Sequence, residues 1–277
     1  MTDKQYQQFC AYLYQETGMA FPEAKRYYIE RRVADRMAAT ALPSFAAYFT
    51  HLRSHASVEL APFINAFTVN ETYFYREDYQ LHCLTNDLLR RRIALKPMHQ
   101  SLRLWSLPCS TGEEPYSIAI WLLENWDEVD HHDIEILGCD IDTQVLQAAR
   151  AGVYGKRALM RLSEAVIAKY FERLDEERWR IIPDIRDSVA FSTANVINSN
   201  ETQPYGRFDV IFCRNMLIYF DEASRRIAAE NLYESLLPGG YLCLGHAESM
   251  SRISALFEVC RYDDAIVYQR PVEERHD

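Results

Sequence analysis

The stretch LRLWSLPCSTGEEPYSIAIWLLEN, residues 102–125, decides the fold of this 277-residue chain. Its first six residues alternate in the manner of a β-strand and end at Pro108, and a turn containing Gly112 then leads into an apolar helical stretch at 113–125. A strand followed at once by a helix is the unit from which parallel α/β sheets are built. The stretch therefore predicts a buried strand whose carboxyl end carries a ligand-binding turn.

The same alternation continues toward the carboxyl terminus. Further strands and helices are predicted in turn at 134–139, 143–151, 189–192, 208–213, 222–236 and 241–245. The strands are largely apolar, which is typical of a parallel sheet covered by helices on both faces. Runs at 257–262 and 265–269, separated by Asp263 and Asp264, predict a closing β-hairpin. Residues 153–187 fit neither pattern and are interpreted as an insertion.

The amino-terminal part of the chain shows only helical periodicity. Pro22 opens a second helix, where its missing N–H is not needed, and Ser44 fits the N-cap of a third. The predicted division is a helical domain at 1–66, a linker at 67–79 and an α/β domain at 80–277, which ends in a loose tail from Pro271.

Composition limits the possible functions. The chain is 48% hydrophobic and 25% charged, which is typical of a globular protein. Its net charge of −10 argues against a polyanionic partner such as nucleic acid, unless a local basic patch exists. Seven cysteines without a Cys-x-x-Cys pair indicate neither a disulfide framework nor a zinc ribbon. Because no membrane-span pattern or signal-peptide pattern is present, we expect a reduced, cytoplasmic protein without direct membrane insertion.

Acidic residues stand at the first two predicted strand ends. Glu113 and Glu114 follow a turn that lacks Gly-x-Gly-x-x-Gly, and their charge would repel a phosphate. They are either first-turn acids that suit the helix dipole or ligand contacts, and spacing alone leaves both readings open. Asp140 is placed to accept ribose hydroxyls, whereas Asp142 fits a helix cap. A nucleoside cofactor without a pyrophosphate, such as S-adenosylmethionine, suits the acidic residues at both of these strand ends.

Two other segments are candidate site elements. In Asn70-Glu-Thr-Tyr-Phe-Tyr-Arg76, the aromatic residues either pack two domains together or form a lid whose polar contacts are Asn70, Thr72 and Arg76. Arg214 and Asn215 follow a buried strand, where such side chains are costly to bury without partners, and this favours a site over a core position. His131 and His132 have no third ligand nearby in sequence, so no metal site is predicted.

These segments resemble the motifs of the CheR-type chemotaxis receptor methyltransferases. Five ordered motifs carry the resemblance, namely Asn70 to Glu77 with Tyr75 in a Phe position, Ser110 to Ala119, Asp140 to Asp142, Phe212 to Phe220, and Gly245 to Ser249. The resemblance implies a class I S-adenosylmethionine-dependent methyltransferase fold of the α/β class, with a Rossmann-like, seven-stranded sheet. It also implies a small N-terminal all-α domain and a small antiparallel β-subdomain inserted at about 153–187.

The resemblance also implies an activity and a set of site residues. The enzyme would transfer a methyl group from S-adenosylmethionine to glutamate carboxylates of chemoreceptor signalling helices, leaving S-adenosylhomocysteine. The cofactor contacts that carry over are Asn70, Thr72, Arg76, Glu114, Asp140, Asn195, Val196, Arg214 and Asn215. Val196 stands where Leu is common, so its contact is expected through the backbone. Arg76 and Tyr219 resemble the catalytic residues that flank the transferred methyl group.

A basic face on the second helix is a candidate docking surface for the substrate. Lys25, Arg32 and Arg36 fall within about 40° of one another on a helical wheel, beside a predicted buried stripe of Ile29, Val33 and Met37. Such a face is usually only solvated. Since the family docks acidic receptor helices near this domain, the resemblance makes this face a candidate for steering the receptor.

The insertion bears on a second receptor contact. Some family members bind a pentapeptide at the receptor's carboxyl terminus by strand addition, through a longer, glycine-containing loop. Here no glycine occurs between Glu172 and Ser188, and Pro183 removes a ladder donor from a predicted strand. We therefore expect an enzyme that is independent of such a pentapeptide. We separately expect it to be a monomer. The side chains expected to point inward are Trp179, Ile181 and Ile185, with Arg178 and Arg180 facing solvent.

Two rival functions are considered. A nucleic-acid methyltransferase often carries an Asp/Asn-Pro-Pro-Tyr/Phe run after the fourth strand, whereas residues 214–219 read Arg-Asn-Met-Leu-Ile-Tyr. A cofactor-sensing or docking module without receptor methylation is the second rival, and the presence of both Arg76 and Tyr219 argues against it.

Overall fold

A seven-stranded mixed sheet forms the centre of the structure, a computed structural model that describes residues 1–97, 100–263 and 265–272. Its strands are β1 (Leu102–Ser106), β2 (Ile134–Asp140), β6 (Val189–Thr193), β7 (Phe208–Cys213), β8 (Leu236–Leu244), β9 (Glu258–Arg261) and β10 (Ile266–Gln269). They are ordered β6-β2-β1-β7-β8-β10-β9. The first five are parallel, and β9 and β10 form the predicted antiparallel hairpin.

Helices form the amino-terminal part of the chain and cover the sheet. They are α1 (Asp3–Thr17), α2 (Arg26–Ala39), α3 (Phe45–Ser54), α4 (Ala56–Asn65), α5 (Tyr79–Cys83), α6 (Leu89–Leu95), α7 (Glu113–Asn125), α8 (Thr143–Ala151), α9 (Lys156–Leu159), α10 (Glu164–Tyr170), α11 (Pro183–Asp187), α12 (Ser199–Thr202) and α13 (Glu222–Glu234). Thr2 closes a capping box on α1, and Ser44 caps α3 as predicted. Among the described residues, no helix has the length and apolarity needed to cross a membrane.

Alternation along the central strands divides the core into two layers. Ile211 and Cys213 pack with the amino-terminal helices and α13, whereas Val210 and Phe212 pack with α7 and the inserted subdomain. The central strands β1, β7 and β8 therefore bury both faces, which is why the sequence shows nearly continuous apolar runs there. The predicted fold class is confirmed.

The inserted region forms a small antiparallel sheet together with short helices. Its strands are β3 (Val153–Gly155), β4 (Phe171–Arg173) and β5 (Arg178–Ile181), in the order β3-β5-β4. Ile181 and Ile185 are buried, Trp179 is half-buried, and Arg178 and Arg180 are exposed. The predicted place of Pro183 is wrong, because Pro183 begins α11 instead of interrupting a strand ladder. Proline is favoured at this helix position, where no N–H partner is needed.

Two other boundaries differ from the sequence prediction. Strand β8 begins at Leu236, before Gly239 and Gly240, because the ladder with β7 continues across a register shift between Phe208 and Val210. The second helix is preceded by a 3-10 turn at Glu23–Lys25. Of the predicted tail, residues 273–277 lie outside the described residues.

A buried ion cluster fixes the amino edge of the sheet. The Asp209 carboxylate on β7 is fully buried and pairs with Arg92 Nε at 2.9 Å and with Lys96 Nζ at 2.5 Å. It also accepts the backbone N–H of Arg103. Removing one partner from such a cluster typically costs about 3–5 kcal/mol, since an uncompensated charge then stays buried. The cluster therefore holds α6 against β1 and β7.

The amino-terminal helices contact the opposite, carboxyl edge of the sheet. The Ala20 N–H donates to the Tyr219 carbonyl, and Met19 forms an isolated antiparallel bridge with Phe220. The strand order reverses between β1 and β7 at this edge. Ligands of open α/β sheets bind at such a reversal, and here the amino-terminal part lies directly beside it.

Candidate active site

A large cavity opens where the strand order reverses. It encloses about 1060 Å³ of space, the open solvent at its mouth included. It brings together every predicted cofactor and catalytic residue, namely Asn70, Thr72, Arg76, Glu114, Asp140, Asn195, Val196, Arg214, Asn215 and Tyr219. The predicted docking residues Lys25, Arg32 and Arg36 do not line it.

Asp140 is held at the end of β2 by backbone donors. Its Oδ2 accepts the Ser110 N–H at 2.8 Å, and its Oδ1 accepts the Asp142 N–H at 2.9 Å. Burial raises the pKa of Asp140 to about 6, although these N–H donors act in the opposite direction. Each oxygen keeps further acceptor capacity, so the carboxylate can bind two vicinal hydroxyls.

Asp142 has two functions, of which the sequence indicated one. Its Oδ1 caps α8 through the N–H groups of Gln144 and Val145. Its Oδ2 accepts the Thr68 hydroxyl at 2.5 Å and the Asn70 amide at 2.9 Å. Asp142 thereby fixes the cavity-lining segment to β2. No sequence pattern indicated this second function, because the contacts span more than seventy residues.

Arg214 and Glu114 form a buried pair on the cavity wall. Arg214 Nη1 lies 3.0 Å from Glu114 Oε2, while Glu114 Oε1 accepts the Ser106 hydroxyl at 2.7 Å. Burial raises the pKa of Glu114, and the Arg214 charge opposes that shift. Arg214 Nη2 also lies 3.4 Å from a Glu77 carboxylate oxygen. Glu77 ends the motif that begins at Asn70, but it was not among the predicted site residues. Glu113 is not part of this pair, and its carboxylate instead accepts the Thr111 hydroxyl.

Arg76 and Tyr219 face the same cavity from different segments. Arg76 Nη1 donates to the Glu71 carbonyl at 2.7 Å, and its guanidinium lies 5.8 Å from the centre of the Tyr73 ring. Burial raises the pKa of Tyr219, whereas the nearby charge of Arg76 lowers it. Arg76 forms no ion pair with any described residue, so its charge is available to a ligand.

Another wall of the cavity comes from the segment after β6 and from the end of the first helix. The side-chain amide of Asn195 donates to the Glu16 carbonyl at 2.8 Å, and its carbonyl accepts the Ile197 N–H. The Val196 carbonyl accepts from Asn231. Thr17 and Met19 also line the cavity. The sequence did not indicate these two residues. No local pattern in or just after α1 marks a contact with a cavity whose other lining residues lie between Thr68 and Phe220.

The donor set fits S-adenosylmethionine. Asp140 suits the two ribose hydroxyls, and the Glu114–Arg214 pair offers complementary charges to an amino acid moiety. Arg214 Nε is buried without a hydrogen-bond partner among the described residues, as expected of a group that serves a ligand. The turn before α7 does not form a pyrophosphate cradle, because it carries one glycine and is followed by two carboxylates.

The structure corrects the proposed basic face. Arg36 makes a bidentate ion pair with the buried Glu59, with Nη2 at 2.7 Å from Oε2 and Nε at 3.0 Å from Oε1. Tyr48 donates to the same carboxylate. The Arg36 side chain is therefore part of the packing between helices. Lys25 and Arg32 are exposed, so only these two remain available.

Within residues 1–97, 100–263 and 265–272, no group of three His, Cys, Asp or Glu side chains could hold a metal ion.

Comparisons with known proteins agree with this geometry. Residues 4–68 match the model "CheR methyltransferase, all-alpha domain", and residues 70–266 match "CheR methyltransferase, SAM binding domain". A relative from Vibrio cholerae named "Chemotaxis protein methyltransferase 2" is 46% identical over all of this chain and 96% of its own length. A "Chemotaxis protein methyltransferase" from Salmonella typhimurium is 34% identical over 94% of this chain and 88% of its own.

Binding of S-adenosylhomocysteine is expected to weaken as the pH falls through about 6. The ionised Asp140 carboxylate, whose pKa is raised to about 6, accepts hydroxyl hydrogen bonds better than the neutral acid. The affinity should therefore reach its full, constant value above that pH. Below it, the dissociation constant should rise by up to about tenfold per pH unit. Calorimetry over this range measures the change.

Asp140→Asn is the control, because it keeps the size of the side chain and removes the titration, while its NH₂ group takes the place of one oxygen that accepts a backbone N–H. This variant should bind about 1–3 kcal/mol more weakly and lose the acid-dependent weakening. A wild-type dissociation constant that stays level across pH 6 would contradict the assignment of Asp140.

Proposed function

The chain belongs to the CheR methyltransferase family, and from this we propose that it methylates glutamate side chains of chemoreceptors. The family membership makes it an enzyme that uses S-adenosylmethionine. The proposed acceptors are the carboxylates on the receptor's cytoplasmic signalling helices, and the products are glutamate methyl esters. The proposed enzyme acts in the cytoplasm as a monomer, without nucleic acid.

The unpaired cation at the cavity is the observation that carries the proposal. Arg76 has no ionic partner among the described residues, and it lies in the same cavity as Tyr219. A guanidinium binds a carboxylate through two parallel N–H donors. The wall thus offers a fixed cation to an incoming glutamate, which an acceptor amine or nucleic-acid base would not need.

The reaction requires little acid–base catalysis. A glutamate side chain has a reference pKa of about 4.3 and is already a carboxylate nucleophile at neutral pH. S-adenosylmethionine, when bound, supplies an electrophilic methyl group on a sulfonium. Arg76 orients the acceptor carboxylate, and Tyr219 restricts the space beside it. Such alignment and exclusion of water can contribute roughly 7–11 kcal/mol in well-ordered reactants.

The remaining site residues have binding functions in this proposal. Asp140 holds the ribose, and Glu114 with Arg214 holds the amino acid end. Asn70, Thr72 and Asn215 line the walls between them, while Asn195 and Val196 close the side beneath α1.

This proposal is tested by measuring how much alkali-labile methyl label the enzyme transfers to a cytoplasmic fragment of a receptor. The fragment is incubated with the enzyme and S-adenosylmethionine labelled in the methyl group, and base then releases the label from esters as methanol. Arg76→Ala should lower kcat/KM by about 10–100-fold, because a charged hydrogen-bonded contact to the acceptor is lost. Arg161→Ala, at an exposed arginine of the inserted region, is the control and should leave the rate unchanged.

Two results would contradict the proposal. A wild-type enzyme that binds S-adenosylhomocysteine but transfers no alkali-labile label would refute glutamate methylation. An Arg76→Ala variant with a normal rate would refute the orienting role of Arg76.

We also propose that α2 guides the acidic receptor helix toward this cavity. Lys25 and Arg32 are exposed, and the Arg32 guanidinium lies 5.3 Å from the centre of the Tyr28 ring. Tyr28 in turn is close enough to Tyr219 to raise the pKa of that phenol. Arg32 therefore lies near the methyl-transfer site, and Lys25 lies directly before α2, so positive charge here would increase the rate of encounter with an acidic helix.

Reversal of both charges should slow receptor methylation without weakening the binding of the cofactor. The Lys25→Glu, Arg32→Glu double variant is expected to lower kcat/KM for the receptor several-fold at low salt, with a smaller effect at high salt, where screening is stronger. The dissociation constant for S-adenosylhomocysteine should not change. The Arg53→Glu, Arg161→Glu variant has the same charge change at exposed positions outside α2, and an equal loss in this control would refute specific docking.

We further propose that methylation does not depend on a receptor carboxyl-terminal pentapeptide. The edge strands β3 and β4 are only three residues long. The turn between β4 and β5 is closed by Asp175, which accepts the Glu177 N–H and pairs with Arg178 at 2.7 Å. Strand addition needs an exposed edge of useful length, and such short edges support little pairing.

A titration of the protein with a Trp-containing tail pentapeptide should therefore give no saturable heat. The rate of receptor methylation should also be equal with and without the receptor's last residues, because recognition takes place at the methylated helix. Micromolar binding, or a rate that falls when the tail is deleted, would overturn this expectation.

A further inference from the structure

No residue of the motif Gly245-His-Ala-Glu-Ser249 lines the cofactor cavity. The motif follows β8, the strand next to β7. Glu248 instead lines a neighbouring cavity, whose walls include Leu217 and Ile218 of the 3-10 helix Leu217–Tyr219. The same helix therefore separates Glu248 from the cofactor cavity, into which Tyr219 faces.

The Glu248 carboxylate accepts three backbone N–H groups. Its Oε2 accepts from Asn215 at 2.7 Å and from Gly245 at 2.9 Å, and its Oε1 accepts from Leu217 at 2.7 Å. These donors belong to the segments that leave β7 and β8. Hydrogen bonds to an ionised acceptor are about twice as strong as neutral ones, so one side chain joins two adjacent strand ends.

The backbone held by these bonds is unusual. Asn215 has φ 59°, in the left-handed region that most side chains avoid. Gly245 is equally constrained, because a Cβ at that position would lie 2.6 Å from Asn215 Nδ2 and 2.8 Å from Glu248 Oε2. Such a conformation persists only where surrounding contacts fix it, and the Glu248 carboxylate supplies three of them.

We propose that Glu248 is a positioning residue that holds segment 214–219 in the conformation required for methyl transfer. Arg214, Asn215 and Tyr219 all reach the cofactor cavity from this segment. Glu248 acts through them, since its oxygen atoms are engaged by backbone donors on the far side of the 3-10 helix. The catalytic part of this inference rests on the proposed function, and the structural part does not.

Glu248→Gln is the sharpest substitution, because it keeps size and shape but turns an amide NH₂ toward at least one backbone N–H. We expect kcat for methyl transfer to fall at least about tenfold and the dissociation constant for S-adenosylhomocysteine to rise several-fold. KM for the receptor should change little, since receptor docking lies elsewhere. A merely structural role would lower the melting temperature while leaving kcat normal at temperatures where the variant is folded.

Glu222→Gln is the matched control. Glu222 lines the same neighbouring cavity and loses the same charge, but it is exposed and, among the described residues, forms its one ion pair with Arg226 on its own helix. Its kcat and cofactor affinity should equal those of the wild type. Normal values in Glu248→Gln, or equal losses in both variants, would overturn the proposal.

Hydrogen exchange of the wild-type protein provides a test that does not depend on any variant folding. The Asn215 and Leu217 amides should exchange at least about tenfold more slowly than an unstructured chain of the same sequence. Unprotected exchange at both would refute the proposal. If the wild type binds S-adenosylhomocysteine but methylates no receptor, the proposed function fails, whereas the exchange and binding results still decide the role of Glu248.

Discussion

The burial of the Arg214 guanidinium is the constraint on which the site depends. A guanidinium that is only 6% exposed keeps its charge, so it needs partners in the interior to offset the cost of burial. Arg214 therefore binds Glu114 from the start of α7, Glu77 from the linker and the carbonyl of Arg76. These groups are separated by up to 138 residues along the chain. Because the charge must be compensated, three distant segments are held in one arrangement, and the cavity is the space between them.

Local backbone strain collects at the same place. Of the non-glycine residues with positive φ, Tyr75, Glu77, Ser110 and Asn215 belong to segments that form the cavity or its immediate support. Each such conformation typically costs about 1–3 kcal/mol. The cost is offset by hydrogen bonds that use the strained groups, such as the Ser110 N–H to Asp140 and the Asn215 N–H to Glu248. The site is thus organised before a ligand arrives, which lowers the entropy lost on binding.

Much of this architecture was predictable. The alternation of strands and helices from residue 102 onward gave the sheet, because strands buried on both faces leave a plain apolar signature. The strand ends then indicated Asp140, Arg214 and Asn215, since ligands of parallel sheets bind at those ends. The predictions failed where local sequence carries two meanings. Pro183 suits a helix start as well as it disfavours a strand, and Arg36 has helical-wheel neighbours but is neutralised by Glu59 from another helix. The exact limits of the domains at 66, 79 and 80 stay a prediction.

The sequence by itself determined the element types, the strand ends that carry polar residues and the motifs that resemble a methyltransferase family. Periodicity and turn chemistry are local properties, so residues within one element report them directly. Only the tertiary structure decided which polar groups meet. It placed Thr17 and Met19 in the cavity wall, gave Asp142 its second set of donors and joined the Asn195 amide to the Glu16 carbonyl. These contacts join residues up to 179 positions apart, and no local pattern records them, because they exist only once the sheet has packed against the amino-terminal helices.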